Sequence, residues 1–145
     1  KIYRGHLSEG HETIPGAKEL LTRLGLTHEI YIVTNGLAST QIRRMRESGL
    51  DRLVKDVFIS ELIGANKPDA EFFEYVAEHI PHFDAKDALL IGDSLSSDIK
   101  GGMNAGIDTC WFDRENRECP ETVRPTYKIT ELGQIYRITQ EETPC

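Results

Sequence analysis

Ala88-Leu89-Leu90-Ile91-Gly92-Asp93-Ser94-Leu95-Ser96-Ser97-Asp98-Ile99-Lys100-Gly101-Gly102 is the stretch whose reading decides the fold. The apolar run Ala88 to Ile91 reads as a short buried strand that stops at Gly92. Asp93 then sits at the strand tip. Asp98 falls in the first turn of a helix expected to start near Ser96. Open α/β sheets build binding sites in this way, from a carboxylate at a strand's carboxyl end and a turn of small residues into a helix. Gly92 lets the backbone turn where a side chain would crowd a ligand. Two converging carboxylates suit a small hard cation such as Mg²⁺, with a phosphate beside it. The same residues also fit a structural role, with Asp93 capping the helix and Asp98 complementing its dipole.

Upstream, Pro15-Gly16 opens a helix whose apolar stripe is Ala17, Leu20, Leu21 and Leu24, with Gly25 as its stop. His28 to Val33 is a strand by its β-branched and aromatic content. It ends in Thr34-Asn35-Gly36. A hydroxyl at a strand tip, followed by exposed backbone N–H groups, can hold a phosphate oxygen, and an Asn-Gly pair can equally be a plain turn. Ser39 or Thr40 is expected to cap the next helix, with Ile42 and Met45 on its buried face, Arg43, Arg44 and Arg46 solvated, and Gly49 as its stop. Val57-Phe58-Ile59 is the next strand. Asn66-Lys67-Pro68-Asp69 precedes a helix carrying Phe73, Val76, Ala77 and Ile80 on its inner side. Lys67 thus stands before a helix N-terminus, a poor place for a cation unless it serves an anion.

Downstream, Gly101, Gly102, Ala105 and Gly106 allow their helix to approach the sheet closely. Ile107 to Phe112 is a further buried strand, Glu115 to Pro125 a loop, Tyr127-Lys128-Ile129 a last strand, and Leu132, Ile135 and Tyr136 mark a closing helix. Strands alternating with helices of crossover length predict a mainly parallel sheet covered on both faces. Thr34, Lys67, and Asp93 with Asp98 then fall along one edge, at the carboxyl ends of the strands. A hydroxyl, a cation and a carboxylate pair together describe a magnesium-phosphate site.

The bulk composition agrees. The chain has 145 residues, enough for one domain with a core, and its 39% hydrophobic and 28% charged content is that of an ordinary soluble protein. A net charge of −7 argues against a nucleic-acid partner, which would need a basic surface. It does not conflict with a small phosphorylated substrate, because a single cation and one lysine reverse the local field. Cys110, Cys119 and Cys145 lack metal-ligand spacing and read as reduced thiols of a cytoplasmic protein. No apolar run approaches the roughly 18 residues that span a bilayer, so no membrane partner is expected. Lys1 to Thr13 carries little pattern. His6 and His11, five apart, do not share a helical face and read as solvated.

Taken together, these residues resemble the haloacid dehalogenase (HAD) superfamily of phosphohydrolases. Ile32-Val33-Thr34-Asn35-Gly36 looks like its second motif, Lys67-Pro68-Asp69 like its third, and Ile91-Gly92-Asp93 through Asp98 like its fourth. The order and spacings fit, and the likeness runs from about Ile14 to Ile138. Pro15-Gly16-Ala17, Val33-Thr34-Asn35-Gly36 and Pro125-Thr126-Tyr127 look most like the branch of pyrimidine 5′-nucleotidase-like enzymes. The resemblance implies a Rossmann-like α/β core and a Mg²⁺-dependent phosphatase acting on a small phosphomonoester, a nucleoside 5′-monophosphate in that branch. Catalysis would run through an aspartyl-phosphate. It further implies that Asp93 ligates Mg²⁺, that Asp98 orients its water or ligates weakly, that Thr34 and the backbone at Asn35 hold the phosphoryl group, and that Lys67 offsets charge.

The departure from the family is at the start. Its first motif, Asp-x-Asp-x-Thr after an apolar strand, supplies the nucleophile, the acid/base and one metal ligand, and nothing in Lys1 to Thr13 replaces it. The chain therefore reads as the C-terminal part of a longer phosphatase. Residues 1–13 would be the tail of a cap helix and a linker, and residues 14–145 an incomplete core. Two expectations follow: no phosphatase activity from this chain alone, and a sheet lacking its central strand. That slot is to be filled by another segment or a second chain, closed by direct pairing of its neighbours, or left as a weak point. A non-catalytic HAD-like module that binds phosphate or a partner is the alternative. A response-regulator-like receiver would need an acid cluster near the start and a phospho-acceptor Asp before the Thr, and neither is present.

Overall fold

The computed structural model describes residues 2–5 and 16–141. Its strands are β1 (Ile2–Gly5), β2 (Glu29–Thr34), β3 (Asp56–Ile59), β4 (Ala88–Gly92), β5 (Asp108–Phe112) and β6 (Tyr127–Ile129). The helices are α1 (Ala17–Leu24), α2 (Ala38–Ser48), α3 (Ser60–Ile63), α4 (Ala70–His79), α5 (Lys100–Asn104) and α6 (Gln134–Glu141). The strands form one sheet in the order β3-β2-β1-β4-β5-β6, with every neighbouring pair parallel.

Alternate residues of each strand enter two separate cores. Ile30, Ile32, Leu89, Ile91, Cys110 and Phe112 pack with Leu20, Leu21 and Leu24 of α1 and Ile135 and Ile138 of α6. Tyr31, Val33, Ala88 and Leu90 turn the other way, onto Phe72, Phe73 and Val76 of α4. Both faces are covered, which is why the strands read as continuous apolar runs rather than as alternating ones. The small residues of α5 do what the sequence suggested. A Cβ on Gly102 would lie 2.6 Å from the Thr109 methyl on the sheet, and one on Gly101 would run into the edge of the Phe73 ring of α4.

The central position, expected to be empty, is occupied. β1 lies between Glu29–Ile32 of β2 and Ala88–Ile91 of β4, in parallel register with both. Its four residues fall inside the 1–13 stretch read as the tail of a cap helix and a linker. Two facing parallel edges present rows of unpaired N–H and C=O groups, which any extended segment within reach can satisfy through its backbone. Ile-Tyr-Arg-Gly is too short to show a strand pattern and has no carboxylate, so the missing Asp-x-Asp is not restored by it. The readings of His6, His11, Pro15 and Cys145 lie outside the described residues.

One further expectation is corrected. Ile42 of α2 is exposed, and Gln41 takes the buried position beside Ala38 and Met45. His79 is the last residue of α4 and stacks on Tyr75 at 3.8 Å. Gly49 ends α2 in the left-handed conformation (φ 80°), as a glycine stop requires. Among the described residues no helix is long and apolar enough to cross a membrane.

Candidate active site

Thr34 ends β2, Lys67 precedes α4, and Asp93 follows β4, so all three stand at the carboxyl ends of strands or in the loops after them. The Lys67 ammonium is buried. It donates to the Asp98 Oδ1 at 2.6 Å and to the Val33 carbonyl at 3.2 Å, with both charged side chains fully shielded from solvent. A buried ammonium is tolerated only when its charge and its donors are matched, and here a carboxylate and a strand-end carbonyl match them. The awkward cation before a helix N-terminus thus serves Asp98.

Asp98 is positioned by the turn that follows β4. Ser94 O accepts from both Asp98 N (3.0 Å) and Ile99 N (3.1 Å), which makes Leu95–Ile99 a wide π-type turn before α5. The turn folds the Asp98 side chain back onto Gly92. A Cβ at Gly92 would lie 2.5 Å from the Asp98 Cβ and Cγ. The close neighbour that demands a glycine at this position is therefore Asp98, where the sequence suggested a ligand. The second Asp98 oxygen accepts from Ser94 N at 3.3 Å.

Asn35 clamps Lys67 from the other side. Its Oδ1 accepts from Lys67 N (2.9 Å) and its Nδ2 donates to Lys67 O (3.2 Å), so one amide holds both ends of the lysine's main chain. The Thr34 hydroxyl is buried, donates to Asn35 O at 3.2 Å, and accepts from Gln41 Nε2 at 3.2 Å. Gln41 also donates to Asn35 O at 2.9 Å. Gly36 N donates to Ser60 Oγ at 2.9 Å, so that N–H is already engaged.

The structure thus brings Thr34, Asn35, Lys67 and Asp98 into one hydrogen-bonded group. Asp93 stands at its edge, exposed, and among the described residues its carboxylate has no hydrogen bond or ion pair. As donors for a hard cation the two acids are unequal. Asp93 offers a carboxylate with no partner among the described residues, whereas both Asp98 oxygens are engaged, by Lys67 and by Ser94. Among the described residues no group of three potential ligand side chains is assembled. Asp93 therefore fits Mg²⁺ as one ligand of a set completed by other oxygens, and Asp98 fits a supporting role behind it.

The sequence reading passed over Gln41, Ser60 and Trp111, whose indole donates to Asp93 O at 3.2 Å. Two of the three left a signal. Ser60 is a hydroxyl just past a strand's end, the criterion that selected Thr34. Gln41 is a polar residue in register with Ala38 and Met45. Asp113 at the end of β5 is a further strand-tip acid. It is buried, and the Arg117 side chain hydrogen-bonded to it holds its carboxyl below the usual range. Burial pushes the Cys110 thiol up to about 12, which keeps it protonated and inert.

The comparisons with known proteins agree with this geometry. Residues 1–112 match the family model described as haloacid dehalogenase-like hydrolase. The chain is 47% identical over 140 residues to YfnB of Bacillus subtilis, named as a HAD-hydrolase, covering 97% of this chain and 60% of that one. It is 40% identical to the pyrimidine 5′-nucleotidase PynA of Streptococcus pneumoniae, covering 88% of this chain and 54% of that one. It is 36% identical to the pyrimidine 5′-nucleotidase YjjG of Escherichia coli, covering 86% and 56%. A crystal structure of YfnB bound to magnesium superposes with a TM-score of 0.87 at 48% identity, over 90% of this chain and 57% of that one. The chain therefore spans a little over half the length of these relatives. Its sheet, its motif order and these likenesses place it in the haloacid dehalogenase-like hydrolase family.

Proposed function

We propose that this chain provides the phosphate-binding and metal-binding rim of a cytoplasmic phosphatase acting on a small phosphomonoester, with a nucleoside 5′-monophosphate as the substrate class. The observation that carries the reading is the Lys67 ammonium, buried at the strand ends against Asp98 and the Val33 carbonyl, with the Asn35 amide clamping the lysine's main chain. The Thr34 hydroxyl can exchange its bond to Asn35 O for one to a phosphoryl oxygen, since Gln41 fills its acceptor side. Lys67 offsets charge that builds on the transferring group, and Asn35 keeps it in place. Mg²⁺, when bound at Asp93, would neutralise charge on the phosphoryl oxygens.

In the intact family enzyme an Asp carboxylate attacks phosphorus in line, forming an aspartyl-phosphate that water hydrolyses. No residue of this chain matches that Asp, so we expect the chain alone to bind phosphate without turnover. The alternative, a non-catalytic phosphate- or partner-binding module, is favoured by the same lack of a carboxylate on Ile2–Gly5. The test is to titrate the 145-residue chain with uridine 5′-monophosphate and Mg²⁺ while recording backbone amide NMR shifts, and to assay release of phosphate. Shifts centred on Thr34, Asn35 and Lys67 without phosphate release are expected. Shifts confined to another surface would overturn the site. Turnover by the pure chain would overturn its inactivity.

A further inference from the structure

The chain has a single tryptophan. Trp111 is paired in register with Gly92, the residue before Asp93, and is almost fully buried at 1% exposure. A buried indole N–H needs an acceptor. The acceptor it finds is Asp93 O, at 3.2 Å. β4 ends at Gly92, so the Asp93 carbonyl lies one step beyond the strand, and the indole supplies a partner to it from β5.

The same peptide unit is held at its other end. The N–H that follows the Asp93 carbonyl belongs to Ser94, and it donates to Asp98 Oδ2 at 3.3 Å. Asp98 Oδ1 in turn receives the Lys67 ammonium at 2.6 Å. A continuous chain of hydrogen bonds thus runs from Trp111 through the Asp93–Ser94 peptide and Asp98 to Lys67. A donor on the carbonyl of a peptide strengthens its N–H as a donor, so the links reinforce one another. The plane of the Asp93–Ser94 peptide also sets the backbone from which the Asp93 carboxylate projects. The outer side of the indole is fixed as well. The Lys128 ammonium lies 5.2 Å and the Arg117 guanidinium 5.8 Å from its ring centre, with Arg117 tied to Asp113 at 3.0 Å.

We infer that Trp111 is a positioning residue for the cation site: its indole N–H fixes the Asp93–Ser94 peptide, and thereby the aim of the Asp93 carboxylate and the Asp98–Lys67 pair behind it. The inference rests on the reading of Asp93 as a Mg²⁺ ligand. It assigns a role to a residue that touches neither the cation nor the phosphate.

Because Trp111 is the sole tryptophan, replacing tryptophan throughout the chain by 3-benzothienylalanine removes that one N–H and keeps the bicyclic shape. Mg²⁺ titrations of the full chain, read at the Asp93 and Ser94 amides by NMR, compare the two proteins. In the unsubstituted chain the indole cross-peak should move with the same half-saturation as Asp93. Loss of the N–H should raise the half-saturation about three- to tenfold, the worth of one hydrogen bond. A merely structural role would lower the melting temperature and leave the half-saturation alone. An indole signal unmoved while Asp93 saturates overturns the inference and leaves the metal reading standing, and this needs no variant. So does a half-saturation changed by less than about 1.5-fold in a folded variant. An unsubstituted chain whose Asp93 amide ignores Mg²⁺ overturns the metal reading, and the inference with it.

Discussion

Lys67 and Asp98 form an ion pair with no exposed side-chain surface, and such pairs are costly to break from one side. Lys67→Met would leave Asp98 buried without its cation and should destabilise the fold by about 3–5 kcal/mol, read by urea denaturation. The double variant Lys67→Met, Asp98→Leu should recover part of that loss, because it leaves no unpaired charge. A single variant as stable as the parent would show that Asp98 is satisfied without the lysine. The residue types of this pair, and their place at strand ends, were legible in the sequence. Their direct contact was not, because it depends on a wide turn that folds Asp98 back over Gly92. Nor was the engagement of the Asn35 side chain with the Lys67 backbone, across 32 residues of sequence.

Helix α2 shows what happens at the scale of an element. Ser39 or Thr40 was expected at its start, yet Leu37 holds the cap position and offers no side-chain hydrogen bond. The cap comes from α3 instead, where Glu61 Oε1 accepts from Ala38 N at 2.9 Å and places a negative charge at the helix N-terminus. Glu61→Ala should cost about 1 kcal/mol and speed hydrogen exchange at Ala38 and Ser39. Unchanged exchange there would mean that the helix start is held by other contacts. A cap supplied from another element cannot be read from local sequence, which shows only the residues next to the helix. The same helix buries Gln41 rather than Ile42, because the Gln41 amide has partners in Thr34 and Asn35 that offset its burial. The loop after β5 is held by charge. Asp113 takes hydrogen bonds from the Arg117 side chain and from the main-chain N–H groups of Glu115 and Arg117. Its depressed folded value, against about 3.9 in an unfolded chain, means stability that is present above that pH and lost as pH falls through the folded value. Asp113→Asn should therefore melt earlier than the parent at pH 7, by a small margin because Arg117 is 60% exposed. The gap should close on acidification below about pH 4, and a gap independent of pH would assign the effect to packing.

At the scale of the whole molecule, the sheet is continuous because β1 joins its two halves, pairing with β2 on one side and β4 on the other. Deleting residues 1–5 would open two parallel edges at the centre. The shortened chain should lose its cooperative thermal transition, followed by circular dichroism. A melt matching the parent would show that β2 and β4 can close on each other. The sequence alone determined the parallel α/β layering, the strands from Glu29 to Ile129 and the gathering of Thr34, Lys67 and Asp93 at one edge. Those features follow from hydrophobic periodicity and from the connection rules of parallel sheets, both local in origin. Only the tertiary structure decided which segment fills the middle of the sheet, what Lys67 is paired with, and which side chain holds the Asp93 peptide. Each of these is a pairing between groups distant along the chain, set by which donors and acceptors the packed backbone leaves to be satisfied.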